Sequence, residues 1–196
     1  MAVPGRDAAI CDAAIELLLE VGYDRMSMDA VAARARASKA TIYRKWPGKQ
    51  ELVVDAVRAR GPGLVVPEDT GSLRGDLVAT YTAALHSGAA QDADLVAGLL
   101  RAMRSAPELA SCVRHQVLES KCDVSRILVA RAVERGELDP ETDPLLLHEV
   151  AAALWFHRVL VVGTPVDDAF IVHVVDDVLL PMLDRSSRST RSLESL

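Results

Sequence analysis

Between Ser27 and Lys49 the chain reads SMDAVAARARASKATIYRKWPGK and gathers Arg34, Arg36, Lys39, Arg44, Lys45 and Lys49 against a single acid, Asp29. The full 196-residue chain carries a formal charge of -6, so positive charge has been concentrated in one place. Guanidinium forks and mobile ammonium groups on one short stretch suit a phosphate backbone. Ser27 and Ser38 each stand where a hydroxyl accepts an orphan amide at a helix start. The first helix then turns Met28, Val31 and Ala32 inward, and the second turns Ile42 inward. Lys39, Thr41, Tyr43, Arg44 and Lys45 are left facing out. Two short helices joined by a turn of about three or four residues have helix-turn-helix spacing, in which the second helix enters the major groove.

This stretch resembles the TetR family of one-component transcriptional regulators. The resemblance rests on Met28, Val31 and Ala32, then Ser38, Lys39, Ala40, Thr41, Ile42 and Tyr43, then Trp46, Pro47, Lys49, Glu51 and Leu52. It covers residues 6 to 58 by motif, and the remainder by size, helical pattern and position. Two positions depart from the family's usual pattern: Arg36 stands where the turn often has glycine, and Gly48 where the next helix often begins with serine. A left-handed Arg36 costs on the order of 1 to 2 kcal/mol, and glycine in place of a serine cap about a few tenths. Arg36 also offers a phosphate contact that glycine lacks. The resemblance implies double-stranded operator DNA as a partner, with Thr41 and Tyr43 at base edges or adjacent phosphates and Lys39 and Arg44 on either. Arg36, Lys45 and Ser27 join the backbone contacts, and Lys49 is expected to hold a phosphate where the fourth helix begins. Trp46 reads as packing between helices and Ser38 as a cap.

The motif needs elements to hold it. Residues 6 to 21 place Ile10, Ala14, Leu17, Leu18 and Val21 at helical spacing with Gly22 as a stop, a helix that braces the reading head. Leu52, Val53, Ala56 and Val57 form the apolar face of a fourth helix running toward Arg60. Gly61-Pro62-Gly63 breaks it and marks the domain boundary. Residues 1–60 are then a helix-turn-helix DNA-binding domain and 61–184 a helical ligand-binding and dimerisation domain. The serine- and arginine-rich residues 185–196 are expected to be disordered. Within the second domain helical patterns cover Leu73 to His86, Asp92 to Arg104, a longer run from Pro107 to Arg135, Leu145 to Val162, and Asp167 to Leu183. Ser105 and Glu108 have capping-box spacing, Asp143-Pro144 repeats a start signal, and Pro181 is expected to kink or end the last helix. The total is about nine helices.

Half of the residues are apolar and only 4% aromatic. Alanine, leucine and valine dominate, so the expected fold is all-α. No stretch approaches the ~18 uninterrupted apolar residues of a bilayer span. The N-terminus, MAVPGRDAAICDAA, lacks the apolar core of a signal peptide. The expectation is a cytoplasmic protein with no membrane partner. Cys11, Cys112 and Cys122 show no CxxC spacing and read as small hydrophobes rather than a disulfide or zinc set. The last two helices carry apolar residues around most of their circumference, more than one wet face allows. The resemblance implies that they pair with their copies in a homodimer; burial within one chain is the other way to cover them. From residue 61 onward 12 basic residues stand against 20 acidic ones, so the body is repelled by DNA and the approach is head first.

The resemblance further implies a small-molecule effector of unknown identity, bound in the body. Met103, Arg104, Cys112, His115, Trp155, Phe156 and His157 have the mixed apolar and polar character of a cavity lining. Ordinary packing or a solvated face is the competing reading of each. His148-Glu149 begins like a zinc hydrolase motif, but Ala152 stands where the second histidine would be, so neither metal nor cofactor is expected. The competing class is a helical small-molecule carrier or enzyme with a vestigial head, in which His86, His115 and His157 converge. Against it, the sequence has no phosphate loop, no nucleophile elbow and no paired carboxylates with a base. The expected function is a DNA-binding regulator: a repressor that takes a palindromic operator as a homodimer and leaves it when a ligand binds.

Overall fold

The computed structural model describes residues 5–60, 67–86, 92–115 and 119–184. The described residues form ten helices and no strand: α1 (Arg6–Val21), α2 (Met28–Arg34), α3 (Lys39–Lys45), α4 (Lys49–Arg60), α5 (Leu73–His86), α6 (Ala93–Ser105), α7 (Pro107–Val113), α8 (Glu119–Glu134), α9 (Pro144–Phe156) and α10 (Asp168–Val174). The all-α expectation holds. The run expected over Pro107 to Arg135 falls in two described pieces, α7 and α8. The start of the linker, 61–66, and the tail, 185–196, lie outside the described residues.

The chain divides into two compact units: Met1–Gly63 with Gly88–Glu119, and Leu64–Ser87 with Ser120–Leu196. The first holds α1 to α4 together with α6 and α7. Its core runs through Ile10, Ala14, Ile15 and Leu18 of α1, Val31 of α2, Ile42 of α3, Leu52 and Val53 of α4, and Leu95, Leu109 and Val113 of α6 and α7. Each of these is removed from water, and full burial of one aliphatic side chain is worth roughly 1.5 to 3 kcal/mol. The two seven-residue helices of the head are too short to stand without such packing. Cys11 lies in this core, where burial, with Asp55 next in weight, pushes its thiol up to about 11; it is an inert hydrophobe.

The second unit holds α5 and α8 to α10. α9 runs on into a π-helical stretch, His157–Val162, and α10 into another, Val175–Leu179. Asp143 and Asp167 cap the two helices through the Leu145 and Phe170 amides. Helix continues through Pro181 to residue 184 rather than ending at the proline. Proline lacks an amide and crowds the carbonyl four residues back. The widened turn ends at Leu180, whose amide bonds Val175 O, and so meets the proline with a loosened register.

One cap expected from spacing is not made. Ser105 still belongs to α6, so its hydroxyl donates back to Ala102 O at 3.2 Å and to Asp24 Oδ1 at 3.3 Å, and Ala106 becomes the unassisted cap of α7. A serine in helical backbone cannot turn its oxygen toward the next helix's amides.

Candidate nucleic-acid interface

α3 is held by what flanks it. Ser38 Oγ accepts the Thr41 amide at 3.1 Å and lies 2.8 Å from Thr41 Oγ1. Ile42 is the one residue of α3 driven into the core. Just past its end Trp46 is 2% exposed and donates Nε1–H to Asp55 Oδ2 on α4 at 2.9 Å, the packing role expected of it. The opposite side of α3 is open: Tyr43 is 48% exposed, Lys39, Arg44 and Lys45 are exposed, and Thr41 is half-buried beside its cap.

α2 begins at Ser27, whose Oγ accepts the Ala30 amide at 3.2 Å, and stops at Arg36. Arg36 has φ 51, the left-handed conformation, with Ala37 N–H on Ala32 O at 3.0 Å and Arg36 N–H on Ala33 O at 3.3 Å. These paired bonds satisfy the last carbonyls of a helix in the way a glycine normally does. The arginine side chain projects into solvent. Arg36→Gly should therefore raise the unfolding free energy of the head by about 1 kcal/mol in urea, since it relieves the left-handed strain. A lowered midpoint would show that the side chain contributes more to the fold than its backbone costs.

The cations of the motif are not equivalent. Lys39 Nζ lies 2.6 Å from Asp29 Oδ2, Lys45 Nζ 2.7 Å from Asp7 Oδ2, and Arg34 forks onto both Glu20 oxygens at 2.7 Å. In each pair the hydrogen bond to the carboxylate holds the cation's pKa above its ordinary value. Arg36 and Arg44 have no ion pair among the described residues. Exposed pairs are worth about 0 to 1 kcal/mol, so Lys39 and Lys45 can exchange carboxylate for phosphate at little loss. Lys49 is placed differently: its ammonium donates to Tyr23 O at 2.7 Å and Met26 O at 3.1 Å and sits 4.1 Å from the centre of the Tyr23 ring. Sequence reasoning did not find Asp7, Asp29, Glu20 or Tyr23, because their partners stand 38, 10, 14 and 26 residues away, where no spacing rule operates.

The candidate ligand residues divide between the units. Met103 and Cys112 are half-buried against the core of the first unit, and Arg104 and His115 are exposed there. In the second unit Trp155 is half-buried, Phe156 is 38% exposed, and His157 is exposed. A groove of about 390 Å³ in the first unit, lined by Leu19, Tyr23, Arg25, Gly98, Arg101 and Ser105 among others, includes none of these seven. Among the described residues no three metal-ligating side chains come together.

The geometry is therefore a capped, core-anchored pair of short helices whose second member presents Tyr43, Arg44 and two lysines to solvent. Comparison with known proteins agrees with it. The profile described as "Bacterial regulatory proteins, tetR family" matches residues 10–56, and the one described as "Tetracyclin repressor-like, C-terminal domain" matches 67–178. A protein of Mycobacteroides abscessus named "DNA-binding transcriptional repressor TetR" is 41% identical over 184 residues, 93% of this chain and 96% of that one. An uncharacterized HTH-type transcriptional regulator of Bacillus subtilis, YdeS, is 28% identical over 87% of this chain and 86% of its own. Among solved structures, the TetR family transcription regulator SCO0332 superposes with a TM-score of 0.62 at 28% identity, covering 89% of this chain and 96% of its own. The fatty acid degradation regulator FadR of Bacillus halodurans does so at 0.67 and 19% identity, covering 92% and 97%, a likeness of fold alone.

Proposed function

The chain belongs to the tetR family of bacterial regulatory proteins and is a DNA-binding transcriptional regulator, and from that premise we propose that it is a homodimeric repressor that holds a palindromic operator and leaves it on binding a small molecule. The observation that carries the reading is α3: one inward side chain, two caps, and an outward face of Tyr43, Arg44 and exchangeable lysines on a chain that is otherwise acidic. Thr41 and Tyr43 reach base edges or the neighbouring phosphates; Lys39, Arg44, Lys45, Arg36 and Ser27 meet the backbone. Phosphate contacts fix register while base contacts specify sequence. The repressor assignment is supported by the name of the 41%-identical relative.

The dimer is supported by an uncovered apolar face. Pro144–Val162 spans 19 residues with a mean hydropathy of 1.6 and 11% burial, long and apolar enough by composition to cross a bilayer. Leu145 at 47%, Leu146 at 40%, Val161 at 72% and Val162 at 49% are all exposed. His148, Glu149, His157 and Arg158 interrupt the run, which suits a helix lying against another helix rather than in lipid. A second copy of the same face covers it, and two-fold symmetry in the protein sets two-fold symmetry in the operator, with half-sites roughly 34 to 36 Å apart.

The test is selection of bound DNA from a random pool, then titration of the selected duplex at several salt concentrations. With about four phosphates neutralised per half-site, a dimer shows a slope near -7 in log K against log salt. Val161→Asp, which buries a charge in the paired face, should yield a monomer by light scattering and a slope of about half that. A selected sequence without symmetry, or a Val161→Asp protein that stays dimeric at unchanged slope, would overturn the proposed assembly. A small molecule that releases the selected duplex identifies the effector.

A further inference from the structure

Lys49 has an environment unlike that of the other cations of the head. Its ammonium is half-buried and has three donors; two go to the carbonyls of Tyr23 and Met26 at 2.7 and 3.1 Å, and the ring face of Tyr23 stands 4.1 Å away. Two of its three donors and its ring contact are thus spent inside the protein, on the turn that precedes α2. Met26 is 2% exposed and immediately precedes Ser27, the cap of α2. Whatever holds residues 23 to 26 therefore sets where α2 begins.

The same turn is touched by α6 and α7, the two later helices of the first unit. Tyr23 packs against the core to which α6 and α7 contribute Leu95, Ala102, Leu109 and Val113. Burial raises its hydroxyl pKa, and Glu108, Glu51 and Cys112 add to the rise in that order, which places α7 as well as α4 within electrostatic range. Ser105 at the end of α6 donates to Asp24 at 3.3 Å.

We propose that Tyr23 and Lys49 are a positioning pair of the reading head: the Tyr23 ring and carbonyl, with the Met26 carbonyl, hold the Lys49 ammonium, and this hold fixes the start of α2 relative to α4. Tyr23 is also the point at which α7 bears on that start. In its consequence for DNA the inference rests on the regulator reading above, whereas the pairing itself is a property of the DNA-free protein. A lysine used this way contributes to affinity without touching phosphate.

The experiment compares the full-length protein with Lys49→Met, Tyr23→Leu and Tyr23→Phe. Amide exchange over residues 27–31 is measured without DNA, and affinity and salt slope are measured on the duplex that the wild type selects from a random pool. Lys49→Met and Tyr23→Leu should each speed exchange at the start of α2 and weaken binding by about tenfold or more, with the salt slope unchanged. The double variant should bind no worse than either single one, because the two act as a unit. Tyr23→Phe keeps the ring face and should match the wild type. Lys49→Met keeps the aliphatic volume and decides the matter even where Tyr23→Leu melts the head. A Lys49→Met slope shallower by about 0.9 per half-site, with exchange at α2 unchanged, would make Lys49 a phosphate ligand and overturn the pairing. Should the wild type select no DNA, the regulator reading fails, and the exchange measurement still upholds or refutes the pairing.

Discussion

Tyr43→Ala combined with Arg44→Ala abolishes measurable retention of the selected duplex while leaving the protein folded. The expected size follows from symmetry. A side chain that contacts a base contributes about 1 to 3 kcal/mol of discrimination, and in a dimer every substitution is made twice, so loss of the tyrosine alone weakens binding by roughly one hundredfold or more. Arg44 adds a charge contact whose loss makes the slope shallower by about 0.9 per half-site. Neither side chain holds the fold: Tyr43 is 48% exposed, and Arg44 is exposed with no ion pair among the described residues. Such surface changes move stability by about 0.5 kcal/mol or less. Retained binding with an unshifted slope would mean that α3 does not read DNA. A large fall in melting temperature would mean that these residues stabilise the head, and the loss of binding would then carry no information about contact.

What was legible in the sequence is what physics makes local. Ser27, Ser38 and Asp143 mark helix starts because an oxygen there answers amides two or three residues away, and all three accept such bonds; Asp167, read as the first residue of its helix, turns out to cap it in the same way. Arg36 was flagged only through the resemblance, as the residue standing where the turn often has glycine, and its φ of 51 is the left-handed conformation that glycine favours. Ile42 was assigned to the core by its spacing, and Trp46 was read as packing between helices, where it is 2% exposed. Ser105 shows the limit of such reasoning: the capping spacing is present, but α6 keeps the serine in its own last turn. The contents of each unit were less legible, because long-range packing decides them. Nothing near residues 93–113 states that α6 packs on α1 and α7 on α4, although the buried faces of these helices do so. The head's carboxylate partners and the Lys49 pocket belong to the same class, since each joins residues that chain spacing does not relate.

The second unit has its own long-range knot, and cutting it should have the largest effect on stability. Asp76 on α5 is 0% exposed; its Oδ1 accepts the Thr70 amide and hydroxyl, each at 2.7 Å, and its Oδ2 accepts from Arg135 Nη2 at 2.9 Å. Arg135 also pairs with Asp69 at 3.1 Å and with Glu137, whose other oxygen accepts the Leu73 amide at 2.7 Å. The knot thus ties the loop before α5, the first turn of α5 and the end of α8 together. Burial pushes the Asp76 pKa up, but the Thr70 and Arg135 hydrogen bonds outweigh it and hold the carboxyl below its ordinary 3.8. Removing one partner of a buried pair costs about 3 to 5 kcal/mol, a large share of the roughly 5 to 15 kcal/mol that holds a domain together. Asp76→Ala should accordingly unfold the second unit in urea at a much lower midpoint. Asp76→Asn should lose less, since the amide oxygen still accepts from Thr70 while the amide nitrogen opposes the arginine. The pH dependence follows from the sign of the shift. A carboxyl whose folded pKa is lowered contributes stability that is complete above its unfolded value and is lost as pH falls through the folded one. The wild type's advantage over Asp76→Asn should therefore be constant at neutral pH and shrink below about pH 4. Gly75→Ala approaches the knot from outside: a Cβ there would stand 2.1 Å from Thr70 Oγ1 and displace the hydroxyl without touching Asp76 or Arg135. It should cost roughly 1 to 3 kcal/mol, as expected when the buried Asp76 carboxylate loses one of its donors. If both Asp76→Asn and Gly75→Ala melt as the wild type does, the knot is not a support of the fold, and the stability of the unit rests on its apolar core alone.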